Sequence, residues 1–151
     1  MAVIKNARIL IAPLDWGLGH ATRCIPVIRH LLNRGCEVFV ATDGPQLALL
    51  KAEFPSLNFL HLPGYGVKYA KRGVFFSLLA QVPAIYQNIK KEHNLLQKWQ
   101  VKYQFNGIIS DNRYGLYHAE VSSVLITHQL ALQLPWWAAG GQRLIRHLLY
   151  R

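Results

Sequence analysis

Short apolar runs of strand length alternate along this 151-residue chain with longer stretches in which apolar residues recur at three-and-four spacing. That alternation is the pattern of repeated βαβ units, and it predicts a parallel sheet covered by helices on both faces. Residues 7–12 form the first predicted strand. A helix follows over 20–34, with Ile25, Ile28, Leu31 and Leu32 on one face and Gly35 as its stop signal. Residues 37–42 make the second strand. Asp43, Gly44 and Pro45 then supply a capping residue and an early proline, opening a helix over 45–54, and 57–61 make the third strand.

Pro63, Gly64, Gly66 and Gly73, interspersed with Lys68, Lys71 and Arg72, predict a long exposed loop over 62–73, the kind of segment that often carries function. A long helix is expected over 75–99, bent at Pro83. Residues 107–110 and 123–127 are the fourth and fifth strands. A last helix is expected over 136–150, where Leu144, His147, Leu148 and Arg151 lie in near-helical register. No internal repeat interrupts the pattern. The expectation is one compact α/β domain, a doubly wound Rossmann-like parallel sheet in three α/β/α layers, with strand order 3-2-1-4-5.

Composition agrees with a packed core: 52% of residues are hydrophobic and 16% charged, too apolar for a disordered chain. A formal charge of +10, from 17 Lys+Arg against 7 Asp+Glu, favours an anionic partner such as a phosphate-bearing ligand or an acidic membrane surface. The basic residues are scattered and no nucleic-acid-binding motif accompanies them, so nucleic acid is not an expected partner. Cys24 and Cys36 lack any ligand spacing and read as reduced core thiols; neither a metal nor a bound cofactor is expected. The apolar stretch 9–14 is ended by Pro13 and Asp15, too early for a signal peptide. Residues 74–86 are interrupted by Ser77, Gln81 and Pro83, short of the roughly 20 that a spanning helix needs. The expected location is cytoplasmic. Residues 74–86, with Lys68, Lys71 and Arg72 nearby, also suit an interfacial patch peripheral to the inner face of a membrane.

Strands one and four are neighbours across the switch point of such a sheet, and ligands bind beyond the carboxyl ends of the strands there. The loops that should face one another are residues 13–20 and 111–115. Adjacent strands lie about 5 Å apart, which brings His20 within reach of Asp111. A carboxylate on one imidazole nitrogen fixes the tautomer and stabilises the cation, leaving the other nitrogen to take a proton from a substrate hydroxyl. Gly17 and Gly19 relax the backbone and expose amides at a helix start, a site for phosphate; the plainer reading is a tight strand-to-helix turn.

The stretch Asp15-Trp-Gly-Leu-Gly-His-Ala-Thr-Arg23 resembles the glycine-rich loop that opens GT-B glycosyltransferases, especially relatives of the peptidoglycan N-acetylglucosaminyltransferase that forms lipid II. Ile126-Thr-His-Gln129 resembles that family's His-Glu-Gln-Asn segment, though Glu and Asn are not both present. Ser110-Asp-Asn-Arg-Tyr-Gly115 lies where related sugar transferases place the aspartate that partners the loop histidine. The family loop is usually richer in glycine, and Asp15-Trp16 replaces part of it. The resemblance implies the N-terminal half of a GT-B fold and an inverting transfer of a sugar, N-acetylglucosamine in the nearest family, from a nucleoside diphosphate. His20 would deprotonate the acceptor hydroxyl and Asp111 would support it. Residues 1–151 would then be the acceptor-binding domain, facing a sugar, lipid-linked or small-molecule acceptor. The nucleotide-sugar donor would sit largely on a second domain that is absent from these residues, leaving the isolated chain inactive.

Arg23 and Arg113 could pair with anionic acceptor groups or be solvated surface residues. His128, with Gln129, could contact acceptor or join a buried hydrogen-bond network. Trp136 and Trp137 read more readily as packing than as a docking surface. A rival reading is a nicotinamide-dinucleotide-binding domain, since Gly17-x-Gly19 follows a strand and Asp43 ends the next. Position 22 is Thr, where that fingerprint wants Gly or Ala. A third reading, a non-catalytic basic binding module, rests on net charge alone.

Overall fold

The computed structural model describes residues 6–65 and 74–127, with 74–82 as backbone only. The elements are β1 (Arg8–Pro13), α1 (Leu18–Asn33), β2 (Glu37–Thr42), α2 (Gly44–Glu53), β3 (Asn58–His61), α3 (Val74–Tyr103), β4 (Gly107–Asp111) and β5 (Ser122–Ile126). The five strands form one sheet in the order β3-β2-β1-β4-β5, every neighbouring pair parallel. This is the doubly wound Rossmann-like arrangement, and its switch point lies between β1 and β4.

The sheet is central because its middle strands are apolar on both sides. From the second residue of β1 onward every position is buried, and β2 follows the same pattern. Alternate residues then feed two separate cores. Ile9, Ile11, Val38 and Val40 meet Ala21, Cys24 and Ile28 of α1 and Leu50 of α2 on one face. Leu10, Ala12, Phe39, Ala41 and Ile108 meet Leu96 of α3 and Phe105 on the other. Each fully buried branched side chain contributes about 1.5–3 kcal/mol, so the two faces together anchor the strand ends that carry the polar groups.

Several boundaries differ from the sequence pattern, for local reasons. Helix α1 begins at Leu18 because Gly17, at φ 79°, reverses the chain directly into the first turn. Helix α3 continues past Trp99 to Tyr103 and ends where Gln104 adopts φ 52°. The Gln100 side chain secures that exit, donating to the Phe105 carbonyl and accepting from its amide. Strand β4 extends one residue further than the apolar run, which makes Asp111 its last member. Cys24 and Cys36 are buried and form no disulfide with one another. Most of the predicted loop 62–73, the helix over 136–150, and with them His128, Gln129, Trp136 and Trp137, lie outside the described residues. Among the described residues no helix is long and apolar enough to cross a membrane.

Candidate active site

The register of the sheet pairs Pro13, the last residue of β1, with Asp111, the last residue of β4. The chain leaving β1 needs only a short loop before Gly17 turns it into α1, so His20 falls in the first helical turn, above the end of β4. His20 Nδ1 lies 2.9 Å from Asp111 Oδ2, with the two residues 8% and 1% exposed. A carboxylate oxygen only accepts, so the tautomer that fits this contact has its proton on Nδ1.

Arg23, one turn further along α1, brings its Nε to 2.7 Å from the same Asp111 oxygen. Its Nη2 lies against His20 Nδ1 and 3.4 Å from Nε2. The Arg23 side chain is 36% exposed, so this cation neutralises an enclosed carboxylate while still reaching solvent. Below the cluster lies Cys24, whose thiol is pushed up to about 12, first by burial and then by the Asp111 charge, with Arg23 partly offsetting both. It is protonated and inert at neutral pH.

The glycine loop is held from α2. The buried Gln46 donates through Nε2 to the carbonyls of Asp15 at 3.0 Å and Gly17 at 3.1 Å. No atom lies within 4 Å of where a Cβ on Gly17 or Gly19 would stand, so the helix start is open on that side. Asp43 caps α2, accepting from the Gly44 amide at 2.7 Å, and its other oxygen meets His61 Nε2 at 3.1 Å. The carboxylate that a dinucleotide reading would set against a ribose is thus engaged locally.

By its sequence Arg113 could pair with an anionic acceptor group or be a solvated surface residue; the structure buries it. Its side chain is wholly enclosed, and the guanidinium points inward to Glu92 of α3, with Nη1 2.6 Å from Oε1. Glu92 Oε2 accepts from the Tyr65 hydroxyl at 2.6 Å and from the Gly115 amide at 3.3 Å. Burial pushes the Glu92 carboxyl up from its ordinary range, against the opposing pull of Arg113 and these donors. Burial, and then the Glu92 charge, also pushes the Tyr65 hydroxyl up. Glu92, Tyr65 and Gln46 carry no motif that marks them in the sequence. Their roles come from partners brought together by the sheet. Among the described residues no group of three or more His, Cys, Asp or Glu is placed to hold a metal.

No family model matches the chain, and no curated protein matches it. Solved structures do. The glycotransferase of kitacinnamycin superposes with a TM-score of 0.59 at 16% identity, over 95% of this chain and 35% of that one. Phytolacca americana UGT2, complexed with UDP-2fluoro-glucose and pterostilbene, gives 0.50 at 18% identity, over 74% of this chain and 26% of that one. The C-terminal domain of a hydrogenase from Pyrococcus furiosus gives 0.54 at 14% identity, covering 84% of this chain and 96% of that domain. At these identities the likeness is one of fold, and that fold is shared by a domain of GT-B glycosyltransferases. The chain spans about a quarter to a third of the length of the glycosyltransferases it matches.

Proposed function

We propose that this chain is the acceptor-binding domain of an inverting glycosyltransferase that moves a sugar from a nucleoside diphosphate to an acceptor hydroxyl. The observation that carries the reading is the 2.9 Å contact of His20 Nδ1 with the enclosed Asp111 carboxylate, across the switch point of a GT-B-like sheet. In this reading His20 Nε2 takes the proton of the acceptor hydroxyl as that oxygen bonds to the anomeric carbon. The bond from that carbon to the diphosphate breaks on the opposite face, and the leaving group departs with its electron pair. Asp111 stabilises the imidazolium that forms, and the start of α1, uncrowded at Gly17 and Gly19, with Arg23, favours an anionic group beside it. The donor is held chiefly by a second domain. By the resemblance to the lipid II-forming family, N-acetylglucosamine is the proposed sugar and a lipid-linked acceptor the proposed class, which fits peripheral contact with the cytoplasmic face of a membrane.

The test joins the chain to a donor-binding domain and follows release of UDP from UDP-N-acetylglucosamine over a panel of hydroxyl acceptors. Transfer should occur, and His20→Gln and Asp111→Asn should each lower kcat by about 10²–10⁴ with little change in KM for the donor. Transfer that proceeds equally well in both variants would remove the dyad from the chemistry.

A further inference from the structure

Arg113 lies two residues beyond Asp111 and turns back beneath the site, a reversal made possible by Asn112 at φ 55°. Its guanidinium reaches several of the segments around the dyad. Nε donates to the carbonyl of Pro13, which ends β1, at 3.2 Å, and Nη1 donates to the carbonyl of Pro63, just past β3, at 2.9 Å. Nη1 also holds Glu92 Oε1 on α3, and Nη2 stands 3.9 Å from Asp15 Oδ1 in the glycine loop. The Tyr65 ring faces the guanidinium at 5.4 Å, and its hydroxyl accepts from the Tyr114 amide at 3.3 Å while donating to Glu92.

We propose that Arg113, held by Glu92 and Tyr65, is a positioning residue for the His20–Asp111 pair. It ties the ends of β1 and β3 and the segment after β4 to α3, and so fixes how far the loop leading to His20 stands from Asp111. This inference rests on the reading of that pair as the working dyad.

Stability alone does not account for such a device. A buried ion pair costs so much desolvation that well-packed apolar residues of similar volume often serve as well or better. What apolar residues do not supply is direction: a planar fork with five donors fixes several oxygens at set angles at once. Here the fixed oxygens belong to the end of β1, to the segment just past β3 and to α3, while Arg113 itself stands on the segment that leaves β4 across the switch point. Asp111 itself makes no contact with the Arg113 guanidinium among the hydrogen bonds and ion pairs described, so the influence runs through backbone placement.

The experiment compares the full wild-type chain with Arg113→Met, Glu92→Leu, the double variant and Tyr65→Phe. Two quantities are measured: unfolding free energy in urea, and the imidazole 15N shifts of His20, which report which ring nitrogen bears the proton. Each charge-removing single variant should lose stability, and the double variant should regain most of it. The His20 signature should not return with it. In the double variant the Nδ1–H tautomer should lose about tenfold or more in population ratio, the equivalent of one charge-assisted hydrogen bond, and Tyr65→Phe should shift it less in the same direction. Should the single variants fail to fold, the double and Tyr65→Phe still decide. A double variant that is stable and keeps the wild-type tautomer overturns the positioning role and leaves the dyad standing. A wild-type chain without the Nδ1–H preference overturns the dyad itself.

Discussion

Gly115 offers a sharp test of how closely α3 approaches the segment that follows Asp111. A Cβ added there would collide with the backbone carbonyl of Ile89 and stand 2.6 Å from Glu92 Cβ and 2.9 Å from Glu92 Oε2. The backbone of Gly115 does not adopt positive φ, so alanine meets an obstacle of space and not of conformation. A helix carbonyl has no rotamer to move to, so helix and loop must part. Forcing a methyl into such a contact costs about 1–3 kcal/mol. Parting also lengthens the 3.3 Å bond from the Gly115 amide to Glu92 Oε2, worth about 1 kcal/mol more. Gly115→Ala should therefore destabilise by about 2–4 kcal/mol, which for a chain of this size lowers Tm by about 5–15 °C. Gly19→Ala is the matched control: nothing lies within 4 Å of its Cβ, and in a helical turn the alanine gains about 0.5–1 kcal/mol. Urea midpoints at unchanged slope measure both. If Gly115→Ala unfolds within about 0.5 kcal/mol of wild type, the close approach is not a feature of the folded chain in solution.

Because the Cys24 thiol is raised from 9.0 to about 12 in the folded chain, the folded state keeps a proton that the unfolded state gives up above pH 9. Its contribution is fully present below pH 9 and is lost as pH climbs towards 12, at up to about 1.4 kcal/mol per pH unit. The stability gap between wild type and Cys24→Ala should accordingly narrow above pH 9 in urea titrations; parallel curves would contradict the burial of that thiol. Gln46→Ala should cost about 2–3 kcal/mol, since it strips the donor from two loop carbonyls, and amide exchange of residues 15–19 should quicken with it. Asp43→Ala should cost about 1 kcal/mol as a lost helix cap, with little further loss from the exposed His61 contact, both read from thermal melts.

The features legible in the sequence are those that a period or a topological rule determines. Apolar runs at 7–12 and 107–110, separated by a helix-strand pattern, suffice to make β1 and β4 neighbours, and the register then brings Pro13 level with Asp111. His20 and Asp111 pair on that basis because Asp111 ends β4 and His20 lies in the first turn of the helix that follows β1, where position along the chain nearly determines position in space. Helix α1 starts ahead of the apolar spacing because a single glycine at φ 79° replaces a longer entry. The burial of Arg113 has no such local signal. Its neighbours in sequence, Asn112 and Tyr114, are as polar as those of any surface turn, and nothing nearby distinguishes a solvated arginine from an enclosed one. What decides the matter is Glu92, far off on a helix whose polar positions look alike, and Tyr65, which stands just before the basic glycine-containing stretch. Gly64 and Gly115 belong to the same problem. Both read as turn glycines, yet their lack of a side chain lets Asp15 and α3 respectively come close. Long-range pairs between charges and between backbone surfaces leave no periodic trace, and the site's supporting shell is made of them.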